Sequence, residues 1–184
     1  GDGGDVIPEV MEPLPPYEPT EFVGTDGRNF RDAEGRVLIL HGVNVSNVSK
    51  GAPFFPQWLT EEHVQMLADR GLNVVRLLVI WEAIEPAKGE FDQVYLDMIE
   101  SRVEWFTSRG IYVLVDMHQD LFGPKFGGDG APLWATLDHG IPFDPPPGDW
   151  FLKYGEAAVK QSFQSFWDNE EGIRDHFILA WQEV

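Results

Sequence analysis

The chain has 184 residues, 43% hydrophobic and 13% aromatic, which is ample material for a folded core and excludes an intrinsically disordered segment. A formal net charge of −18 argues against a nucleic-acid binder and against a polybasic membrane anchor. The absence of cysteine excludes disulfides, thiol catalysis and cysteine-ligated zinc, and the longest apolar run, residues 74–81 with Arg76 inside it, is far too short to cross a bilayer.

Residues 1–20 carry Pro8, Pro13, Pro15, Pro16 and Pro19 behind a glycine-rich start, and read as an extended leader with the look of a processed terminus. Residues 21–184 form the second region. It opens with a short β-hairpin whose turn falls near Glu34 and Gly35. Residues 37–40 run on into His41-Gly42-Val43-Asn44-Val45, a near-continuous apolar stretch that reads as one strand covered on both faces. Thr60 caps a helix with Glu61 and Glu62 in its first turn; Val64, Leu67 and Ala68 share a face, and Gly71 ends it.

The second strand covers residues 72–79 and leads to Trp81 and a loop holding Glu85, Pro86 and Gly89. A helix from about Asp92 to Arg109 places Tyr95, Ile99, Val103 and Phe106 at helical spacing and stops at Gly110. Residues 111–116 give a third strand. Apolar strands alternating with amphipathic helices call for a parallel α/β sheet.

Residues 119–150 contain no convincing element, only glycine, proline and polar punctuation. A loop of that length is commonly functional, and this one leaves the C-terminal end of the third strand, where α/β barrels build active sites. A helix resumes over about residues 154–167, and a further amphipathic stretch starts near Gly172 and runs to Val184. Three strands are fewer than the eight strands and about 250 residues of a full barrel. Open edges and an uncovered face are therefore expected, with the remainder supplied by other polypeptide.

Polar residues interrupt the strand ends. Arg76 sits among Val74, Val75, Leu77 and Leu78, and a buried guanidinium needs partners, either a core ion pair or a carboxylate that it positions. Asp116, His118 and Asp120 alternate along the end of the third strand and so point to one face, suited to sugar hydroxyls or to a metal ion. Asn44 and Lys50 follow the first strand; Lys50 reads equally as a solvated surface group. Trp58, Trp81 and Trp134 are candidates for stacking on sugar faces or for the core. Gly127-Gly128-Asp129-Gly130 lacks the lysine and hydroxyl ending of a phosphate loop.

In order along the chain stand His41-Gly42-Val43-Asn44, Asn73-Val74-Val75-Arg76-Leu77, Trp81-Glu82-Ala83-Ile84-Glu85-Pro86, Asp116-Met117-His118-Gln119-Asp120 and Gly128-Asp129-Gly130-Ala131-Pro132-Leu133-Trp134-Ala135. This set resembles the endoglycoceramidase branch of the family-5 glycoside hydrolases. The resemblance implies the N-terminal portion of a (β/α)8 barrel, about three βα units, from a secreted enzyme. Such an enzyme cleaves the β-linkage between oligosaccharide and ceramide with retention, through a glutamate acid/base and a glutamate nucleophile.

Neither glutamate motif of the family occurs here. Glu82, Glu85, Glu90 and Glu183 do not match those positions, so these residues alone are expected to be inactive. By matching, Arg76 would orient the nucleophile, His118, Asp120 and Lys50 would hold the non-leaving sugar, and Trp134 would line the cleft; Asn44 is counted with them among the substrate-binding residues. Phe54, Phe55, Phe122 and Phe126 would offer the lipid an apolar surface. No cofactor is implied. The partners implied are a glycolipid or oligosaccharide and the C-terminal remainder of the enzyme. Alternatives are a family-5 glycosidase on a steryl glucoside or β-glucan, a metal-dependent hydrolase using Asp116, His118 and Asp120, and a non-catalytic sugar-binding half-barrel.

Overall fold

A computed structural model describes residues 23–45, 47–54, 57–145 and 147–184. The Pro-rich leader expected over residues 1–20 lies outside them. The chain divides into two compact units, Gly1–Leu40 and His41–Val184.

In the described part of the first unit, β1 (Gly24–Thr25), β2 (Phe30–Arg31) and β3 (Val37–Leu38) pair antiparallel in that order. The hairpin expected from the sequence is the β2–β3 pair, in register Arg31 with Val37. Its turn closes because Asp32 accepts from the amides of Glu34 and Arg36 at 3.1 and 2.8 Å, while Gly35 takes φ +78°. β1 adds a third strand that the sequence reading did not foresee.

The second unit is built on a parallel sheet in the order β4 (Gly42–Val45), β5 (Val74–Ile80), β6 (Tyr112–His118). The single strand expected from Val37 to Val45 is therefore two strands. Val37–Leu38 pairs antiparallel with β2, Gly42–Val45 pairs parallel with β5, and Ile39 between them is 79% exposed. A continuous apolar run concealed this change of partner. α1 (Glu61–Asp69) returns the chain from β4 to β5; a short α2 (Trp81–Ile84) and the long α3 (Gln93–Thr107) return it to β6.

β5 is central and nearly closed to water, with Val75, Leu77, Val79 and Ile80 at 0% exposure. Alternation sends Val75, Leu77 and Val79 to one face, where the core includes Val64 of α1 and Ile99 and Phe106 of α3. It sends Arg76, Leu78 and Ile80 to the other. That second face is partly open: Leu114, paired in register with Arg76, is 59% exposed.

The stretch after β6 is ordered by turns. Short 3-10 segments cover Pro124–Phe126, Leu133–Ala135 and Trp150–Gly155. α4 (Ala157–Trp167) and α5 (Ile173–Glu183) follow, so the expected helix start at Tyr154 moves to Ala157 behind a 3-10 lead-in. Among the described residues no helix is long and apolar enough to cross a membrane.

Candidate functional site

The sheet register assembles the site. Asn44, Arg76 and Leu114 are neighbours in one row, Leu78 and Asp116 in the next, and Ile80 and His118 in the row beyond. All share the face opposite α1 and α3. From its row Arg76 reaches up the sheet: Nη2 donates to Asp116 Oδ2 at 2.6 Å and lies 3.2 Å from His118 Nδ1. His118 Nδ1 is 2.9 Å from the same Asp116 oxygen. Nδ1–H and the guanidinium can both donate to Asp116, while the other ring nitrogen, Nε2, faces Asp120. Nε2 is enclosed without a hydrogen-bond partner and stands 3.6 Å from Asp120 Oδ2.

Lys50 ends the turn Asn47–Lys50 that follows β4 and brings its ammonium onto this group. It pairs closely with Asp120 Oδ2, and Asp129 Oδ2 is 3.9 Å away. Burial opposes the charge of Asp120, but the hydrogen bond and charge of Lys50, aided by His118, outweigh it and hold this carboxyl below its ordinary value. Asp129 is only 4% exposed; burial, reinforced by Asp120 against the pull of Lys50, pushes its carboxyl up to about 6.

The two aspartates face each other across an isolated antiparallel bridge. Between them Leu121 and Phe122 adopt φ of +53° and +74°, a left-handed conformation that costs each residue free energy and that persists because both are buried. Leu121 N donates to the Tyr154 hydroxyl at 2.9 Å, Phe122 N to Gln119 Oε1 at 2.9 Å, and Ala131 N to Phe122 O at 2.8 Å. Strain held by this many contacts fixes Asp120 and Asp129 relative to Lys50.

Of the sequence candidates, Arg76, Asp116, His118, Asp120 and Lys50 thus form one row of polar groups. Asn44 stands beside Arg76 in register, is exposed, and shares none of the hydrogen bonds described for that row. Trp134 lies elsewhere: its Nε1 donates to Glu85 O at 3.1 Å, and its ring meets Trp81 and His176 edge-on at 5.5 and 5.2 Å. Trp81 is 3% exposed, so it belongs to the core and offers no open face to a sugar, whereas Trp58 is 55% exposed.

The apolar surface expected from Phe122 and Phe126 is also corrected. They are 4% and 1% exposed, drawn inward by an edge contact of Phe122 with Phe163 and a tilted one of Phe126 with Phe143. Phe55 lies outside the described residues. Phe122 instead walls an apolar cavity of about 230 Å³, with Trp81, Met117, Phe163, Phe166 and Phe177, which abuts His118.

Sequence reasoning missed three participants. Asp129 was visible only as a lone acid among glycines, and Tyr154 only as a helix-start aromatic. Glu85, at 0% exposure, accepts from Trp81 Nε1, Gly89 N and His176 Nδ1 at 3.0, 2.8 and 2.7 Å, tying the β5 exit to α5.

Chemically, this is a set of charged hydrogen-bonding groups at the C-terminal ends of parallel strands. His118, Asp120 and Asp129 bring ligand atoms within 4.8 Å of one another, a spacing that a metal ion could use. The Lys50 ammonium already supplies the positive charge there, and Asp116, required by the metal reading of the sequence, is engaged by Arg76.

A parallel βα array with its polar groups at the C-terminal strand ends is the arrangement on which α/β-barrel enzymes build their sites. The family model for cellulase (glycosyl hydrolase family 5) matches residues 31–170, and the chain belongs to that family. It is 37% identical over 167 residues to endoglycoceramidase I of Rhodococcus hoagii, covering 90% of this chain and 33% of that protein. The structure of endo-glycoceramidase II from Rhodococcus sp. in complex with ganglioside GM3 superposes with a TM-score of 0.70 at 40% identity, over 82% of this chain and 37% of that one. Sterylglucosidase 1 of Cryptococcus neoformans gives a TM-score of 0.72 at 25% identity, over 91% and 32%. The chain spans about a third of the length of these relatives, and its three βα units are part of a (β/α)8 barrel.

Proposed function

We propose that these residues form the glycone-holding side of a retaining glycosidase that cleaves the β-linkage between oligosaccharide and ceramide. The observation that carries this reading is the row of polar groups at the strand ends, with Arg76, Asp116 and His118 hydrogen-bonded together and Asp120, 3.6 Å from His118 Nε2, paired with Lys50. Carboxylate, imidazole and ammonium together can accept from and donate to adjacent hydroxyls of a sugar ring. Arg76, already a donor to Asp116, lies on the face where the catalytic acids of a barrel collect and orients the nucleophile. The reactive glutamates come from polypeptide beyond these 184 residues, in the geometry of a retaining pair. The similarity to proteins named for ceramide glycosides supports the lipid assignment.

The test is a substrate profile of the whole enzyme on a glycosphingolipid, a steryl glucoside and a β-glucan. Turnover of the glycosphingolipid is expected. Turnover of the glucan with none of either lipid overturns the reading, and steryl glucoside alone moves it to a sterol. The 184 residues by themselves are expected to be inactive, and addition of the complementary C-terminal segment is expected to restore turnover.

A further inference from the structure

The bridge between Asp120 and Asp129 is made by main-chain atoms alone: each amide donates to the other residue's carbonyl, at 2.9 and 3.0 Å. It needs no particular side chain at position 129. Yet the residue there is an acid, 4% exposed, whose Oδ1 has no hydrogen-bond partner among the described residues. Burial opposes the charge of this carboxyl, so the side chain weakens the fold that encloses it. A group kept at such a cost is expected to act on a neighbour.

That neighbour is Lys50. Its ammonium pairs closely with Asp120 Oδ2 and has Asp129 Oδ2 3.9 Å away, while 31% of the Lys50 side chain stays exposed against 6% for Asp129. An ammonium carries three N–H donors on a flexible four-carbon stem, and one ion pair does not fix where the other two point. A second carboxylate on the enclosed side does, because it draws the head inward and turns the remaining donor to the open side. We propose that Asp129 is a positioning residue for saccharide binding, holding the Lys50 ammonium from behind so that one N–H stays directed at a hydroxyl of the non-leaving sugar. The inference rests on the glycosidase reading above, because it needs a sugar on the exposed side of Lys50.

The local main chain is built to deliver this acid. A Cβ at Gly128 would overlap the carbonyl of Asp120, and one at Gly130, where φ is +121°, would press on Cα and Cβ of Gln119. Glycine on both sides therefore lets the strand of Asp129 close on the exit of β6, and the carboxylate between them reaches a lysine that stands in the turn after β4. Because the bridge locks the two acids together, they meet the lysine stem as one rigid pair.

The experiment uses the whole enzyme at neutral pH and an aryl β-glycoside that wild type turns over, with Asp129→Asn, Lys50→Met and the double variant. Asp129→Asn is expected to raise KM on the order of tenfold, with a smaller change in kcat and no fall in the denaturant midpoint. In the Lys50→Met background the same substitution is expected to change KM by less than about twofold, because the residue through which it acts is gone. Asp129→Ser, which also lacks the carboxylate, is read in the same way should the Asn variant not fold. A KM for Asp129→Asn within about twofold of wild type, or an equal rise in both backgrounds, overturns the inference and leaves the glycosidase reading intact. So does a raised KM that comes with a lower midpoint, since a loosened structure would account for both. A wild type that turns over no glycoside defeats the underlying reading instead.

Discussion

Asp120 and Asp129 exchange backbone hydrogen bonds of 2.9 and 3.0 Å and turn their carboxylates toward the same lysine, Lys50. The two acids sit in opposed electrostatic states. Asp120 is ionised by its close pairing with Lys50, and Asp129, buried behind it, holds its proton up to about pH 6.

This opposition predicts a pH signature. Folding raises the Asp129 carboxyl from 3.8 to about 6, so between those values the folded state binds the extra proton and stability falls as pH rises. The full penalty is present above about pH 6 and absent below pH 4. Asp129→Asn is therefore expected to stabilise the protein at pH 7.5 by up to about 2–3 kcal/mol and to leave stability unchanged at pH 4. Denaturant midpoints at both pH values check it; a variant less stable at pH 7.5 contradicts it.

Gly128 predicts how tightly this bridge is built. A Cβ at Gly128 would overlap the carbonyl oxygen of Asp120, which is backbone and cannot swing aside. Gly128→Ala is expected to cost about 3 kcal/mol and to abolish saccharide binding. At the adjacent Gly127, φ is +79° with open space around it, so Gly127→Ala should cost only about 1 kcal/mol. Equal costs at the two positions would mean that the bridge is loose.

What the sequence made legible follows from the range of the forces involved. β5, β6 and α3 declared themselves because apolar runs and three- and four-residue spacing are local signals. Arg76, Asp116 and His118 stood out as polar residues at the ends of apolar strands, and register alone brought them together. The loop after β6 was opaque because its order comes from distant partners: Asp120 with Asp129, and Leu121 with Tyr154, 33 residues away. The ion pair of Lys50 with Asp120 spans 70 residues and no local pattern encodes it.

Arg76 is expected to matter through its shape as well as its charge. Its Nη2 serves Asp116 while standing against the imidazole of His118. A lysine could replace one contact but not the planar fork. In the whole enzyme Arg76→Lys is expected to lower kcat by on the order of a hundredfold with a smaller change in KM. A rate within twofold of wild type would remove Arg76 from the site.

Glu85 offers a prediction about architecture, separate from sugar binding. Its Oε2 accepts from Trp81 Nε1, and its Oε1 accepts from both Gly89 N and His176 Nδ1, so three donors converge on a carboxylate with no exposure. Glutamine would turn an amide N–H₂ toward at least one of those donors and leave buried hydrogen-bonding groups unpaired. Glu85→Gln is therefore expected to destabilise by about 2–3 kcal/mol. His176→Ala removes one donor while the carboxylate keeps two, and its cost should be smaller, about 1–2 kcal/mol. Because the contact joins the β5 exit to α5 across 91 residues, the loss should appear as faster amide exchange in both α2 and α5. Exchange that quickens in α2 alone would show that Glu85 serves its own turn and that α5 is held by its aromatic packing on Trp81 and Phe166.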